Sequence, residues 1–185
     1  MKRAIFTKEN RQATRDRLKW QTRRIGDNPW KVEVGDVLAL AEPVQIAGIF
    51  AVFKRVDVSY LDDGFRQWVN VSDKSLTKIQ ARKDPHHATI ARHMLGDFAR
   101  HYIRITDKRV EQLQDISEED CYAEGVRIYE GERLCMPGES ALDNAIYRAH
   151  FWALWNSINK QSGRAYKDNP VVTAYSYEFL GELNS

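Results

Sequence analysis

"LKWQTRRIGDNPWKVEVGDVLAL", residues 18–40, sets the reading of the whole chain. It opens with Lys19, Arg23 and Arg24 crowded around Thr22, passes a reverse turn at Gly35-Asp36, and enters the apolar run 37–40, which reads as a buried strand. A solvated loop needs no such order. A cation-rich turn fixed to the start of a buried strand suits a site that holds something polar or anionic.

Working outward, "KRAIF" (2–6) reads as a short strand and "TKENRQATRDRLK" (7–19) as a polar surface helix that Thr7 is placed to cap. On the other side, "QIAGIFAVFKRVDVSY" (45–60) reads as one long strand, rich in β-branched and aromatic residues. Residues 60–98 read as an irregular insertion with one short helix. "HYIRITDKRVEQL" (101–113) is another strand. "DISEEDCYAEGV" (115–126) is a compact helix: Ser117 caps it, acids crowd its first turn and Gly125 ends it. "ALDNAIYRAHFWALWNSINK" (141–160) is the strongest helix, with Leu142, Ala145, Ile146, Ala149, Trp152 and Trp155 or Asn156 at helical spacing. "NPVVTAYSYEFL" (169–180) closes the chain as a strand with Tyr175, Tyr177 and Phe179 on one face. Consecutive strands without intervening helices predict an α+β fold: a mostly antiparallel sheet able to curl into a barrel, with helices outside.

The 185 residues fit a single domain, and a hydrophobic share of 43% is enough for a real core. Net charge is only +2, but its distribution is uneven. Residues 1–35 carry ten Lys/Arg against four Asp/Glu, residues 74–109 nine against three, and residues 111–145 two against ten. A positive face that meets phosphate explains this, as do two faces that pair with each other. The first twenty residues are charged and no apolar run is long enough for a membrane span, so a cytoplasmic protein is expected, with Cys121 and Cys135 reduced. Neither those cysteines nor His86, His87, His93, His101 and His150 show a ligand spacing, so no metal and no cofactor is expected. There is no phosphate-cradling glycine loop and no nucleophile elbow, which removes several large enzyme classes.

Lys19 and Thr22 stand three residues apart. In a helical turn they would sit together and in a strand on opposite faces. A partly desolvated Lys beside Arg23 and Arg24 loses its proton more easily, and such a Lys can activate a Thr hydroxyl as nucleophile or orient a carbonyl. The commoner meaning of this spacing is a surface Lys beside a turn Thr. Arg23 and Arg24 can grip phosphate or pair with carboxylates. Glu124 lies in the last turn of its helix, where the dipole disfavours a carboxylate, so a nearby cation or an acid/base role should hold it there. Phe151, Trp152 and Trp155 read as core packing. Trp20, Trp30 and Trp68 lie in polar stretches and are candidates for stacking on a base or covering a loop.

In their order, "FTKENRQATRDRLKWQTRRI", "VGDVLAL", "ARHYIRITDKRVEQLQDISEEDCYAEGV", "FWALWNSIN" and "NPVVTAYSYEFL" resemble the ASCH domain, a branch of the PUA-like superfamily, over residues 5–180. The likeness is to the longer ASCH proteins of tailed phages and prophages. It implies one domain over 1–185 with a β-barrel of five to six mostly antiparallel strands, flanking helices and an insertion at 60–98. It implies a modified nucleoside or RNA as partner, no membrane, and a phage- or prophage-encoded protein in a bacterial cytoplasm. A small bacterial enzyme of this family hydrolyses N(4)-acetylcytidine to cytidine and acetate. Its Lys, Thr and Glu match Lys19, Thr22 and Glu124, which the resemblance makes catalytic. Trp20, Arg23, Arg24 and Met94 are then expected to bind substrate. A non-catalytic RNA- or nucleotide-binding module is the other expectation. The chain departs from the family at Arg17, where a Gly is common, and at Leu95, where phage relatives often carry Pro.

Overall fold

The computed structural model describes residues 2–130, 133–138, 143–159, 161 and 163–181. Along the chain run β1 (Arg3–Ile5), α1 (Lys8–Arg15), β2 (Gln21–Ile25), β3 (Val37–Ala41), β4 (Val44–Phe50), β5 (Arg55–Tyr60) and β6 (Arg66–Asn70). There follow α2 (Asp73–Gln80), β7 (Tyr102–Gln112), α3 (Glu118–Ala123), β8 (Ile128–Glu130), β9 (Arg133–Cys135), α4 (Asp143–Ile158) and β10 (Val171–Gly181). The architecture is mixed α+β, with ten strands and four α-helices among the described residues. Among the described residues the strands form open sheets, with no closed barrel of the kind the sequence led us to expect. Among the described residues no helix is long and apolar enough to cross a membrane.

The chain gathers into two compact units. The first holds, among the described residues, 2–8, 37–103 and 180–181. Here β1 and β3 pair in parallel, Arg3 opposite Ala39 and Ile5 opposite Ala41. The stretch 45–60 is a hairpin rather than one strand: β4 and β5 are antiparallel, with Phe50 opposite Arg55. A single 3-10 turn at Ala51–Phe53 and a left-handed Lys54 (φ 50°) reverse the chain. No Gly, Pro or Asn marks that turn, so composition hides it. Residues 60–98 are also more regular than expected. β6 pairs with β5, and α2 is capped by Ser72, whose hydroxyl accepts from the Ser75 amide at 3.3 Å. Val71, Ile79, Met94 and Phe98 from this segment share one core with Val56, Val58 and Tyr60.

The second unit holds 9–36 and 104–179 among the described residues. The cation-rich turn around Arg23 is in fact a strand. β2 pairs antiparallel with β10, Thr22 opposite Tyr175 and Arg23 opposite Ala174. The core joins Leu113, Ile116, Cys121, Val126, Tyr147, Phe151, Trp155 and Val172. Among the described side chains the buried stripe of α4 is therefore Tyr147–Phe151–Trp155: Phe151 and Trp155 pack in the core as expected, whereas Tyr147 takes the place expected of Ile146, Ala149 and Trp152. Three aromatic side chains bury far more apolar area than alanines, and they set the phase. Trp152, expected in the core, is 49% exposed. Leu142 and the side chain of Ala145 lie outside the described residues.

Candidate functional site

Two helix ends build the site. α1 stops in a Schellman turn: the Leu18 amide donates to the Ala13 carbonyl (2.8 Å) and the Arg17 amide to the Thr14 carbonyl (3.1 Å). Arg17 takes the left-handed conformation this turn requires, at φ 59°. α3 stops the same way, with Val126 donating to Cys121 (3.1 Å), Gly125 to Tyr122 (3.0 Å), and Gly125 at φ 98°. The two turns meet. A Cβ on Gly125 would stand 3.5 Å from the Cβ of Lys19.

The chain leaving α1 then satisfies the orphan carbonyls at the end of α3. The Trp20 amide donates to the Ala123 carbonyl at 3.0 Å. Lys19 Nζ donates to the Glu124 carbonyl at 2.6 Å and to Glu124 Oε2 at 2.5 Å. Arg127 Nη1 donates to the Tyr122 carbonyl at 2.6 Å. A cation is the right partner for a helix C-terminus, and here it also neutralises the carboxylate that the dipole disfavours. The nearby cation that the position of Glu124 called for is thus Lys19, with Arg23 Nη1 at 3.3 Å from Oε1.

Arg23 is wholly buried and holds four side chains. Its Nε donates to Glu111 at 2.7 Å, its Nη1 to Gln21 at 2.7 Å and to Glu124, and its Nη2 to Asp120 at 2.6 Å. Arg109 closes the cluster by pairing with Glu111 at 2.7 Å and with Asp120. Three cations therefore face three carboxylates. Arg23 positions those carboxylates: of the two roles its sequence left open, phosphate grip or carboxylate pairing, the pairing is the one seen.

Burial pushes the Lys19 ammonium below the ordinary lysine value. The Glu124 carboxylate pulls the other way, and Arg24 and Arg23 add to the downward push. Thr22, in β2, is buried, and its hydroxyl has no hydrogen-bond partner among the described residues. Lys19, Thr22 and Glu124 all border one cavity of about 300 Å³, as do Arg23 and Arg24. The convergence does not come from a helical turn: Lys19 lies in the link after α1 and Thr22 in the strand that follows.

The lining also has an apolar part. Phe151, Leu154, Trp155 and Ile158 of α4 form it, with Pro29 and Trp30 from the loop after β2. Trp30 stacks on Tyr175 with ring centres 4.9 Å apart and planes at 16°, and Arg24 lies 5.1 Å above its ring. That loop is pinned by Asn28, whose amide donates to Thr173 Oγ1 at 2.8 Å and whose Oδ1 accepts from Val32 at 3.0 Å. One signal in the sequence could have found the wall: α4 carries more apolar residues than its buried stripe uses, leaving Leu154 and Ile158 over.

Two expected binders fall elsewhere. Trp20 is 38% exposed and meets Tyr122 edge-on at 5.6 Å, away from the residues that line the cavity. Met94 belongs to the first unit, buried in its core, where its sulfur accepts from the Glu42 amide at 3.4 Å. Cys121 is no rival nucleophile, since burial pushes its thiol up to about 12.

A buried amine, a hydroxyl and a carboxylate around a small half-apolar cavity can perform nucleophilic acyl transfer. In comparisons with known proteins, no family model, no curated protein and no solved structure matched the chain.

Proposed function

We propose that the chain is an ASCH-type protein of the PUA-like superfamily that recognises a modified nucleoside or RNA and hydrolyses the amide of an N-acylated cytosine. The observation that carries this reading is that Lys19, Thr22 and Glu124 line one cavity, with Lys19 and Glu124 in contact across 105 positions of chain. The resemblance assigned those three residues, and the family assignment itself rests on the sequence motifs.

Thr22 Oγ attacks the acyl carbon while the neutral Lys19 amine takes its proton. The 2.5 Å contact passes that proton to the Glu124 carboxylate, which delivers it to the departing amine nitrogen. The C–N bond breaks and an acyl ester forms on Thr22. Water then attacks the ester, its proton returns through the same pair to Thr22 Oγ, and the free acid leaves. Trp30 offers a ring face for the base, and a cavity of about 300 Å³ is at the small end of ligand sites.

One observation favours a second reading, a non-catalytic module that only binds a base. Lys19 Nζ is engaged by both the carbonyl and the carboxylate of Glu124, which also suits a purely structural lock. Incubation of the purified protein with N(4)-acetylcytidine, followed by chromatography, separates the two. Release of cytidine that Thr22→Ala abolishes supports the hydrolase. Binding without release supports the module.

A further inference from the structure

The first unit carries an aromatic cluster on its surface that the cavity in the second unit does not use. At the β4–β5 turn, Phe50 is 56% and Phe53 66% exposed, and Trp68 on β6 is 48% exposed. Large apolar side chains this exposed and this close together mark an interaction surface. The cluster is ordered by its own contacts. Phe50 and Phe53 stack with centres 5.5 Å apart, and Phe50 meets Trp68 edge-on at 6.4 Å. Between the rings lies a concavity of about 380 Å³ whose remaining wall is Arg55.

Charge narrows the occupant. Arg55 lies 5.8 Å over the Trp68 ring and has no ion-pair partner among the described residues. The same is true, in the same unit, of the exposed Lys74, Lys78, Lys83 and Arg92. The unit's acids are in contrast largely spent: Glu42 and Asp63 on Arg100, Asp57 on Arg66, Asp73 on Lys54. The slot itself is therefore aromatic with one cation, Arg55, without an ion-pair partner among the described residues, and it is a concavity rather than a convex wedge.

We infer that the Phe50–Phe53–Trp68 slot with Arg55 binds single-stranded nucleic acid, stacking bases on the rings and holding a phosphate with Arg55. Every base has a ring face, so such a platform tolerates sequence and depends strongly on salt. A lipid surface lies across rings rather than entering a concavity between them, and a second copy of this chain, itself of net charge +2, offers Arg55 less charge complementarity than a phosphate backbone does.

The test is fluorescence anisotropy of labelled oligothymidylate and oligouridylate, about fifteen residues long, titrated with the full chain. Phe53→Ala and Trp68→Ala should each weaken binding about tenfold, the loss of one stacked base. Arg55→Gln should weaken it and flatten its salt dependence. Phe53 is so exposed that its removal leaves the fold intact, which keeps the test valid if Trp68→Ala misfolds. Preference between the two oligomers distinguishes DNA from RNA. Absence of binding overturns the inference, and so does binding that Phe53→Ala leaves unchanged. So does Phe53-dependent capture of anionic phosphatidylserine vesicles, or Phe53-dependent dimerisation, without oligonucleotide binding. Turnover at the Thr22 cavity is measured separately and stands or falls on its own.

Discussion

Lys19 Nζ lies 2.5 Å from Glu124 Oε2 and 2.6 Å from the carbonyl oxygen of the same residue, so one buried ammonium caps a helix and neutralises its terminal carboxylate. Lys19→Met keeps the stem and removes the charge. Glu124 then keeps only Arg23 as an ion-pair partner among the described residues, at 3.3 Å, with Arg24 acting on it from farther off. Breaking a buried pair from one side costs about 3 kcal/mol or more, and urea unfolding should read that loss. In Lys19→Met/Glu124→Gln the carboxylate is gone too, and the double variant should lose clearly less than the sum of the singles. Simple additivity would mean that the two groups do not sense each other.

Much of this arrangement was legible before any coordinates. Ser117 and Gly125 bound α3 as capping chemistry says they must, and a Glu in its last turn called for a nearby cation or an acid/base role. What stayed hidden has physical causes. Arg23 reads as a surface cation because nothing local reveals that Glu111 and Asp120 converge on it from β7 and α3. The turn at Lys54 uses residues with no turn preference. The phase of α4 depended on weighing alanines against aromatics, and a pattern that counts both equally keeps Trp155 but puts Ala149 and Trp152 on the buried face in place of Tyr147. The cavity's apolar wall needed that phase first.

Arg17 occupies a left-handed position where the resembling family often has Gly. An L-residue there costs about 1–2 kcal/mol that Gly avoids, since the turn at φ 59° is fixed by its two hydrogen bonds. Arg17→Gly should raise unfolding stability by about 1 kcal/mol and leave ligand binding unchanged. Chemical denaturation gives the number, and a loss of stability would show that the Arg17 side chain itself holds the turn.

Thr22→Ala should remove N(4)-acetylcytidine turnover by at least about a thousandfold, while its melting temperature stays near wild type because a hydroxyl without a partner is lost. Thr22→Ser should keep a measurable fraction, since it retains the oxygen. Equal activity in Thr22→Ala would leave the cavity without its nucleophile and defeat the mechanism.

The same mechanism fixes a pH profile. Lys19 must be neutral to take the Thr22 proton, and burial places its pKa below the ordinary 10.5. The neutral fraction grows as pH rises through that lowered value, so kcat/KM should climb with pH and level off before 10.5 is reached. Lys19→Arg, which cannot give up its proton, should lose both the activity and the slope. A flat profile in the wild type would exclude Lys19 as the base.

Acid should unfold the first unit through Glu42. This fully buried carboxylate is pushed upward by burial, but His101, whose Nδ1 lies 3.5 Å away, and Arg100, which donates to it from Nε at 2.8 Å and from Nη2 at 3.1 Å, outweigh that and hold it below its ordinary 4.5. A pKa depressed on folding means that the unfolded chain binds the proton more readily. The stabilisation is complete above pH 4.5 and is lost as pH falls through the lower folded value. Arg100→Leu removes the main cation, which also rests 4.1 Å above the Tyr60 ring and reaches Asp63 at 2.7 Å. Burial then dominates Glu42, so the acid midpoint should move to higher pH. Stability at neutral pH should fall by about 3 kcal/mol or more, the cost of a buried charge without its partner. Circular dichroism along an acid titration of both proteins reads the shift. An unchanged midpoint would mean that the Glu42 proton is not linked to folding.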